Sequence, residues 1–571
     1  MLMKKQQKPL TVSIAHINDT HSYFEPTPLQ LTVNHLGQDY HPFVSAGGFA
    51  RIATRVKALK QQADTDGFLF LHAGDCFQGT LYFSLFKGEA NADLLNQLDL
   101  DAMALGNHEL DLGNEPVGQF VRRINFPLLA GNWNLSQEGK KQYPLANQSN
   151  LYHYDPEQQV AQWIEKRING DSVAIFGLSL DKMADIANPD SDTWFESAQQ
   201  TAENTLRQIR QAGINKIILL SHLGYDADLE LAKAVSGISL IIGGHSHVLQ
   251  GNFSELGIAS QDQYGEKVAD TYVVQAGYHA LTLGHCEVTF DSEGVISQFA
   301  GNNELLVGRR LFVNTEGFEA DNDYDAIKQR VQQHPNVVVC RKDPQIKRLL
   351  IEKYQTKVRA LQQEKLISLP KDLRHIRIPD AQGGSEVAPL VARSFYYAMR
   401  QLGYQVDFAM HNAGGVRTSL NQGPLSVADV AGRLLPFVVP IGVYEIQGEH
   451  IAAVIEGAIN NALGNGVNGT GSGSYPYTYL LTFQYDADAP QGKRVTDIMI
   501  AGEPLDLERR YMATSSAYTM KGKEGYDAIL QMNGEGIVTE WSMSDCFVKL
   551  LSEQPEVATV CLPQSKAQQM R

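Results

Sequence analysis

Several short segments of the chain gather side chains able to hold a cation or carry a proton. "NDTH" offers Asp19 and His21, "GDCFQGT" offers Asp75, and "GNHELDLG" offers Asn107, His108 and Asp111. "SHLGYD" adds His222, and "GGHSH" adds His245 and His247. Each segment follows a short apolar run of the kind that forms a buried strand, so these side chains collect where strands end. Taken singly, a Gly-Asp after a strand is usually a turn, Asn-His-Glu can cap a helix, and a lone histidine is more often structural than a ligand. Their coincidence points to one shared site.

The spacing suggests how they divide. Asp19 and His21 are two residues apart, as are His245 and His247, so in an extended chain each pair projects from one side. Asn107 and His108 are adjacent and diverge, which suits one metal ligand and one residue facing a substrate. Carboxylate, amide and imidazole without cysteine suit Mn, Fe, Zn or Co and disfavour a closed structural zinc site. Asp19, His21, Asp75, Asn107, His222, His245 and His247 are too many ligands for one ion. They are expected to hold two divalent metal ions, one carboxylate bridging them. Cys76, inside "GDCFQGT", reads as a small buried residue rather than a covalent nucleophile.

The elements that must position these residues alternate in kind. "LTVSIAHI", "GFLFLHAG", "DAMALG", "VAIFGLSL", "KIILLSHL", "LIIGGHS" and "TYVVQAG" read as buried strands. "GGFARIATRVKALKQQ" and "ESAQQTAENTLRQIRQAG" have helical spacing. The alternation predicts an α/β domain over residues 1–342 with its strands covered on both faces. "DPQIKRLLIEKYQTKVRALQQEK" then reads as a linking helix, 343–366, started by an Asp-Pro cap. A second α/β domain over 367–571 contributes strands in "VDFAMHN", "VYEIQG", "YLLTFQYD" and "YMATSSAY". Its glycine-rich "GNGVNGTGSGSYP" lacks the Gly-Lys-Ser/Thr ending of a phosphate-binding loop and reads as a shape-giving loop.

Composition limits the partners. The chain has 571 residues, 48 Lys and Arg against 64 Asp and Glu, and a net charge of −16, which argues against a generic nucleic-acid polymer as ligand. No apolar run approaches the length of a membrane span. Cys76, Cys286, Cys340, Cys546 and Cys561 are widely spaced with no CxxC pair, which fits a reducing compartment. The start "MLMKKQQKPLTVSIAHINDTH" has too short an apolar part for a signal peptide, so the expected location is cytoplasmic and the "NGT" sequon at 468–470 a chance match. Nothing here sets an oligomeric state.

In their order, "NDTH", "GD", "GNHE", "SHLG" and "GHSH" resemble the calcineurin-like metallophosphoesterases. The resemblance implies a β-sandwich flanked by helices. It also implies that Asp19, His21, Asp75 and His247 hold one metal, and that Asp75, Asn107, His222 and His245 hold the other. Asp75 is then the bridge, and His108, oriented by Asp111, contacts the phosphate or leaving group from outside the metal shell. Glu109 reads as a helix-start carboxylate.

The second half narrows the family. "HNAGGVRTSL", "LLPFVVPIGVYEIQG", "GSYPYTYLLTF" and "YTMKGKEGYDA" are similar, in order, to the C-terminal domain of the 5'-nucleotidases, a group that includes periplasmic UDP-sugar hydrolases and ecto-nucleotidases. The resemblance implies a nucleotide substrate held by Asn412, Arg417 and a stacking pair, Phe437 and Tyr518, with an acid, Glu524, on the ribose. Several positions depart from the pattern. Tyr518 replaces Phe, Glu524 replaces Asp with one methylene more, and Pro389 and Val439 stand where relatives carry polar contacts. Arg393, one turn after Pro389, is either an anion contact or a solvated helix residue. The implied activity is metal-dependent hydrolysis of nucleoside 5'-monophosphates. The alternatives are a 2',3'-cyclic nucleotide phosphodiesterase, a UDP-sugar or nucleotide pyrophosphohydrolase, or a nucleotide-binding protein with a vestigial metal site.

Overall fold

The computed structural model describes residues 9–312, 321–464 and 471–559. The basic start of the chain, the "NGT" sequon with part of the glycine-rich loop, and Cys561 lie outside the described residues. The chain divides into two compact units, residues 1–78 with 86–355, and residues 79–85 with 356–571.

In the first unit, parallel strands Leu10–Ile17, Gly67–His72, Ala102–Ala104 and Leu128–Ala130 lie side by side at the centre of an eleven-stranded sheet. A six-stranded sheet runs Trp163–Ile168, Asp171–Ser179, Lys216–His222, Leu240–Ile242, Thr271–Val274 and Glu266–Val268. The period-2 alternation of strand side chains explains how the sheets pack. In Lys216–His222, Ile218 and Leu220 join a core shared with Val12, Ile14, Leu69 and Leu71 of the larger sheet. Ile217 and Leu219 point the other way, into a core with Ala202, Leu206 and Ile209 of the helix Ala198–Gln211. Both strand faces are therefore buried, which accounts for the unbroken apolar run "KIILL". The result is a β-sandwich flanked by helices.

Asp343 caps the helix that follows, its carboxylate accepting from the Gln345 and Ile346 N–H at 2.9 and 3.1 Å, with Pro344 in the first turn. The helix runs from Pro344 to Gln363 with a wider turn at Leu350–Gln355, and the division between the units falls inside it.

The second unit has a five-stranded sheet ordered Pro476–Tyr479, Phe408–Asn412, Arg510–Ser516, Pro440–Gln447 and Asn533–Ser542. Helices Ala388–Gln401, Gly448–Leu463 and Met543–Glu553 contribute Phe395, Ile455 and Phe547 to its core. Among the described residues, no helix is long and apolar enough to cross a membrane.

Candidate metal centre

Parallel pairing brings the carboxyl ends of several strands to one edge, the usual place for a site in such sheets. Ile17 pairs with His72 and His72 with Met103, so the loops carrying Asp19, Asp75 and Asn107 leave the sheet side by side. These loops are then sewn together: the Asp19 N–H donates to the Gly74 carbonyl at 2.9 Å and the His21 N–H to the Asp75 carbonyl at 3.1 Å. Gly106 is required there, because a side chain would run into Asp75.

The extended backbone expected for Asp19–His21 and His245–His247 is not what forms. Asp19, His21, Asp75, His245 and His247 are all left-handed, with φ of 48, 47, 58, 74 and 59°. The strands end earlier, at Ile17 and Ile242, and the ligand-bearing residues curl back in tight turns whose peptide groups bond to neighbouring loops. Left-handed L-residues cost about 1–2 kcal/mol each and persist only where their surroundings over-determine them.

The turns bring together all seven metal-ligand candidates. Asp19, His21 and His247 present ligand atoms within 4.8 Å of one another, as do Asp75, His222 and His245; Asp75 also falls in a third such group with His21 and His108. His222 Nε2 stands 3.1 Å from Asp75 Oδ2 and 3.2 Å from Asn107 Oδ1, and Asn107 Oδ1 is 2.8 Å from His245 Nδ1. On the other side, His21 Nε2 is 3.1 Å from His247 Nε2 and 4.0 Å from Asp75 Oδ2, while His247 Nε2 is 3.4 Å from Asp19 Oδ1.

Hydrogen bonding shows why a cation belongs there. His222 Nδ1 donates to the Ala73 carbonyl at 2.7 Å, so in the neutral ring Nε2 is an acceptor, and it faces a carboxylate and an amide oxygen. His21 Nδ1 likewise donates to the Phe77 carbonyl at 3.1 Å. Buried acceptors that converge need a positive charge between them. Burial opposes a charge on His222, yet the Asp75 carboxylate beside it outweighs burial and raises its pKa to about 9, a measure of how strongly this cluster favours positive charge. Burial holds His21 and His245 neutral, down to about 4, the form that binds metals. The donor set is carboxylate, amide and imidazole, and it fits divalent Mn, Fe, Co or Zn.

His108 stands beside the ligands with a different set of bonds. Its N–H donates to Asp75 Oδ1 at 2.8 Å and its ring Nδ1 donates to Asp111 Oδ2 at 2.7 Å. Gln78 Nε2 donates to the same Asp111 oxygen at 3.0 Å. Burial would depress the His108 pKa, but Asp111 and Asp75 together raise it to about 10. The ring therefore holds a proton and directs Nε2 away from Asp111.

Glu109 corrects its sequence reading. His108–Leu110 is one 3-10 turn rather than the start of a long helix, and this turn aims Glu109 inward, at 1% exposure. Its carboxylate accepts from the N–H groups of Asp75, Cys76, Phe77 and Gly106 at 3.0, 2.7, 3.0 and 2.7 Å. It thus clamps the turn that presents Asp75. Asn18 is a second residue the motifs did not single out: its amide donates to Asp19 Oδ2 at 2.7 Å and to the Gly277 carbonyl at 2.6 Å. Its place in "NDTH" beside two ligands was the available signal. Cys76 is fully buried, and burial with the Glu109 carboxylate pushes its thiol far above the usual range, so it is no nucleophile.

In the second unit, the structure pairs four of the nucleotide-site candidates. Asn412 ends its strand and donates to Glu524 Oε2 at 3.2 Å, and Glu524 is left-handed at φ 55°. The Arg417 guanidinium lies 5.3 Å from the centre of the Phe437 ring. Tyr518 is half-buried in the short helix Ala517–Met520. Pro389 is buried in the first turn of Ala388–Gln401, and Val439 is half-buried just before its strand. Arg393 lies 5.6 Å from the Tyr479 ring centre and donates to Gln554, a packing role within its own unit.

Known proteins are similar to this chain in sequence and fold. Residues 12–249 match the calcineurin-like phosphoesterase family and residues 370–531 the 5'-nucleotidase C-terminal domain. A "Probable 5'-nucleotidase" of Treponema pallidum is 30% identical, over 91% of this chain and 87% of its own length. The NAD 5'-nucleotidase of Haemophilus influenzae is 29% identical, over 96% and 91%. The crystal structure of a 5'-nucleotidase precursor from Thermus thermophilus superposes with a TM-score of 0.71 at 28% identity, covering 95% of this chain and 96% of that one.

Proposed function

The chain belongs to the 5'-nucleotidase family, and from that premise we propose that it hydrolyses nucleoside 5'-monophosphates to nucleoside and phosphate at a centre of two divalent metal ions. The observation that carries this reading is the convergence of buried acceptor atoms from Asp75, Asn107, His222 and His245, with the His108–Asp111 pair against the same Asp75. Asp19, His21, Asp75 and His247 would hold one ion and Asp75, Asn107, His222 and His245 the other, Asp75 contributing to both groups. When bound, the ions neutralise phosphoryl oxygens and make water acidic enough to attack phosphorus near neutral pH.

The chain's own residues do the rest. Asp111 fixes the His108 ring by taking its Nδ1–H, so the Nε2–H is held for a phosphoryl or leaving-group oxygen. Glu109 holds the Asp75 turn through its backbone N–H groups, so the Asp75 carboxylate is preorganised where it would meet the ions. Phe437 and Tyr518 stack the base, Arg417 and Asn412 contact the substrate, and Glu524 accepts from ribose hydroxyls. The free, buried state of Cys76, Cys286, Cys340 and Cys546 supports a reducing, cytoplasmic location.

A second reading, cleavage of a pyrophosphate bond, is favoured by the similarity to the Haemophilus influenzae NAD 5'-nucleotidase. Release of phosphate or nucleotide from AMP, cyclic 2',3'-AMP, UDP-glucose and NAD, measured after chelation and readdition of Mn or Co, separates the two. AMP is the expected preferred substrate. Preference for NAD selects the second reading, and no turnover of any ester defeats both.

A further inference from the structure

His72 is fully buried and lies outside the groups able to hold a metal, yet it touches two of the loops that carry them. Its Nδ1 accepts from the Gly74 N–H at 3.1 Å. A backbone N–H only donates, so Nδ1 carries no proton, and the ring hydrogen of the neutral imidazole sits on Nε2. That Nε2 lies 3.0 Å from Thr20 Oγ1, to which it donates. Thr20 stands between Asp19 and His21, and Gly74 precedes Asp75. One imidazole therefore spans the seam between the loop bearing Asp19 and His21 and the loop bearing Asp75.

The same seam holds the bonds Asp19 N–H to Gly74 carbonyl and His21 N–H to Asp75 carbonyl. All three ligands it joins are left-handed, so their backbone relaxes unless something holds it. Thr20 is fully buried too, and an apolar pair of the same shape would fill this space at little cost to the fold. A directed hydrogen bond there has its value in geometry rather than in stability.

We infer that His72 is a positioning residue for the metal centre: through Thr20 it holds the turn of Asp19 and His21 at the separation from Asp75 that bound metal requires. The inference rests on the metal-centre reading given above. Groups bonded directly to a ligand typically change metal affinity by about 10- to 100-fold; His72 acts one step further out, through Thr20 and Gly74, and is expected at the low end of that range.

The test is Mn2+ affinity without substrate, by competition with a fluorescent chelator, for the full chain and its Thr20→Val, Thr20→Ser and His72→Asn variants and the Thr20→Val/His72→Asn double. Thr20→Val keeps the shape but leaves the buried His72 Nε2–H without an acceptor, so it is expected to melt somewhat below the parent and, once folded, to bind Mn2+ about 10-fold more weakly. Thr20→Ser restores the hydroxyl and is expected to bind within about threefold of the parent. His72→Asn keeps an acceptor for Gly74 but loses the reach to Thr20, so the double variant is expected to bind no more weakly than the worse single one. If His72→Asn does not fold, the Thr20 pair alone decides. The inference is overturned if Thr20→Val binds within threefold of the parent, or if Thr20→Ser loses as much as Thr20→Val. A parent chain that binds no Mn2+ in the same assay overturns the metal-centre reading itself, before any variant is compared.

Discussion

The metal-capable face of the first unit and the nucleotide-site candidates of the second are built in different ways. On the first, seven candidate ligands come from five strand ends and the turns after them, five of the seven with left-handed backbone, and are braced by Asn18, Glu109 and His72. On the second, Asn412 with Glu524 and Arg417 with Phe437 form two separate pairs, and only Glu524 among the candidates is left-handed. Cations tolerate little error in ligand distance, so their site must be over-determined by backbone bonds and buried carboxylates. A stacked base tolerates lateral movement, since its recognition is a matter of planar area. The contrast predicts that damage to the first face is severe for every substrate, while damage to the second is mild and depends on the base.

Asp75→Asn strikes the residue shared by both metal-capable groups. Turnover of every phosphate ester is expected to fall at least about a thousandfold, the several kcal/mol a metal centre supplies, and excess Mn should not restore it. Equal loss with AMP and p-nitrophenyl phosphate supports the contrast, and a loss confined to AMP breaks it.

His108→Ala removes the proton holder and leaves the ligands. A fall in kcat of about 10²- to 10⁴-fold with bound metal unchanged is expected, measured by steady-state kinetics beside elemental analysis. Loss of metal in this variant moves His108 into the ligand set.

Glu109→Gln keeps one oxygen for two of the four backbone N–H groups and sets against the other two an amide nitrogen that only donates. Each N–H left unpaired costs about 1–3 kcal/mol, so a lower melting temperature and weaker Mn binding are expected together. A variant with parental values of both shows that the Asp75 turn holds itself.

Phe437→Ala has the smallest expected effect. KM for AMP should rise by roughly 5- to 100-fold, the worth of one base stack, while KM for p-nitrophenyl phosphate is unchanged. Equal rises for both place Phe437 in the core of its unit instead of against a base.

These differences follow what each part of the chain displays in one dimension. The strand runs before Asp19, Asp75, Asn107, His222 and His245 are legible because burial on both faces demands continuous apolar residues. The ligand types are legible because carboxylate and imidazole at strand ends have few other uses in such number. Glu109 is not legible, because a carboxylate after Asn-His equally suits a helix start, and only the 3-10 turn decides where it points. His72 is indistinguishable in "GFLFLHAG" from a histidine that ends a strand, since its partners are Thr20, 52 residues away, and the Gly74 N–H.

By itself, then, the sequence determined the strand runs that precede the site, the candidate ligands at their ends and the family they resemble, because these depend on residue type and local period. The tertiary structure decided the left-handed turns that aim Asp19, His21, Asp75, His245 and His247, and the inward carboxylate of Glu109. It also decided the tautomer of His72, because each is set by hydrogen bonds between loops that are distant in the chain and adjacent only once the strands have paired.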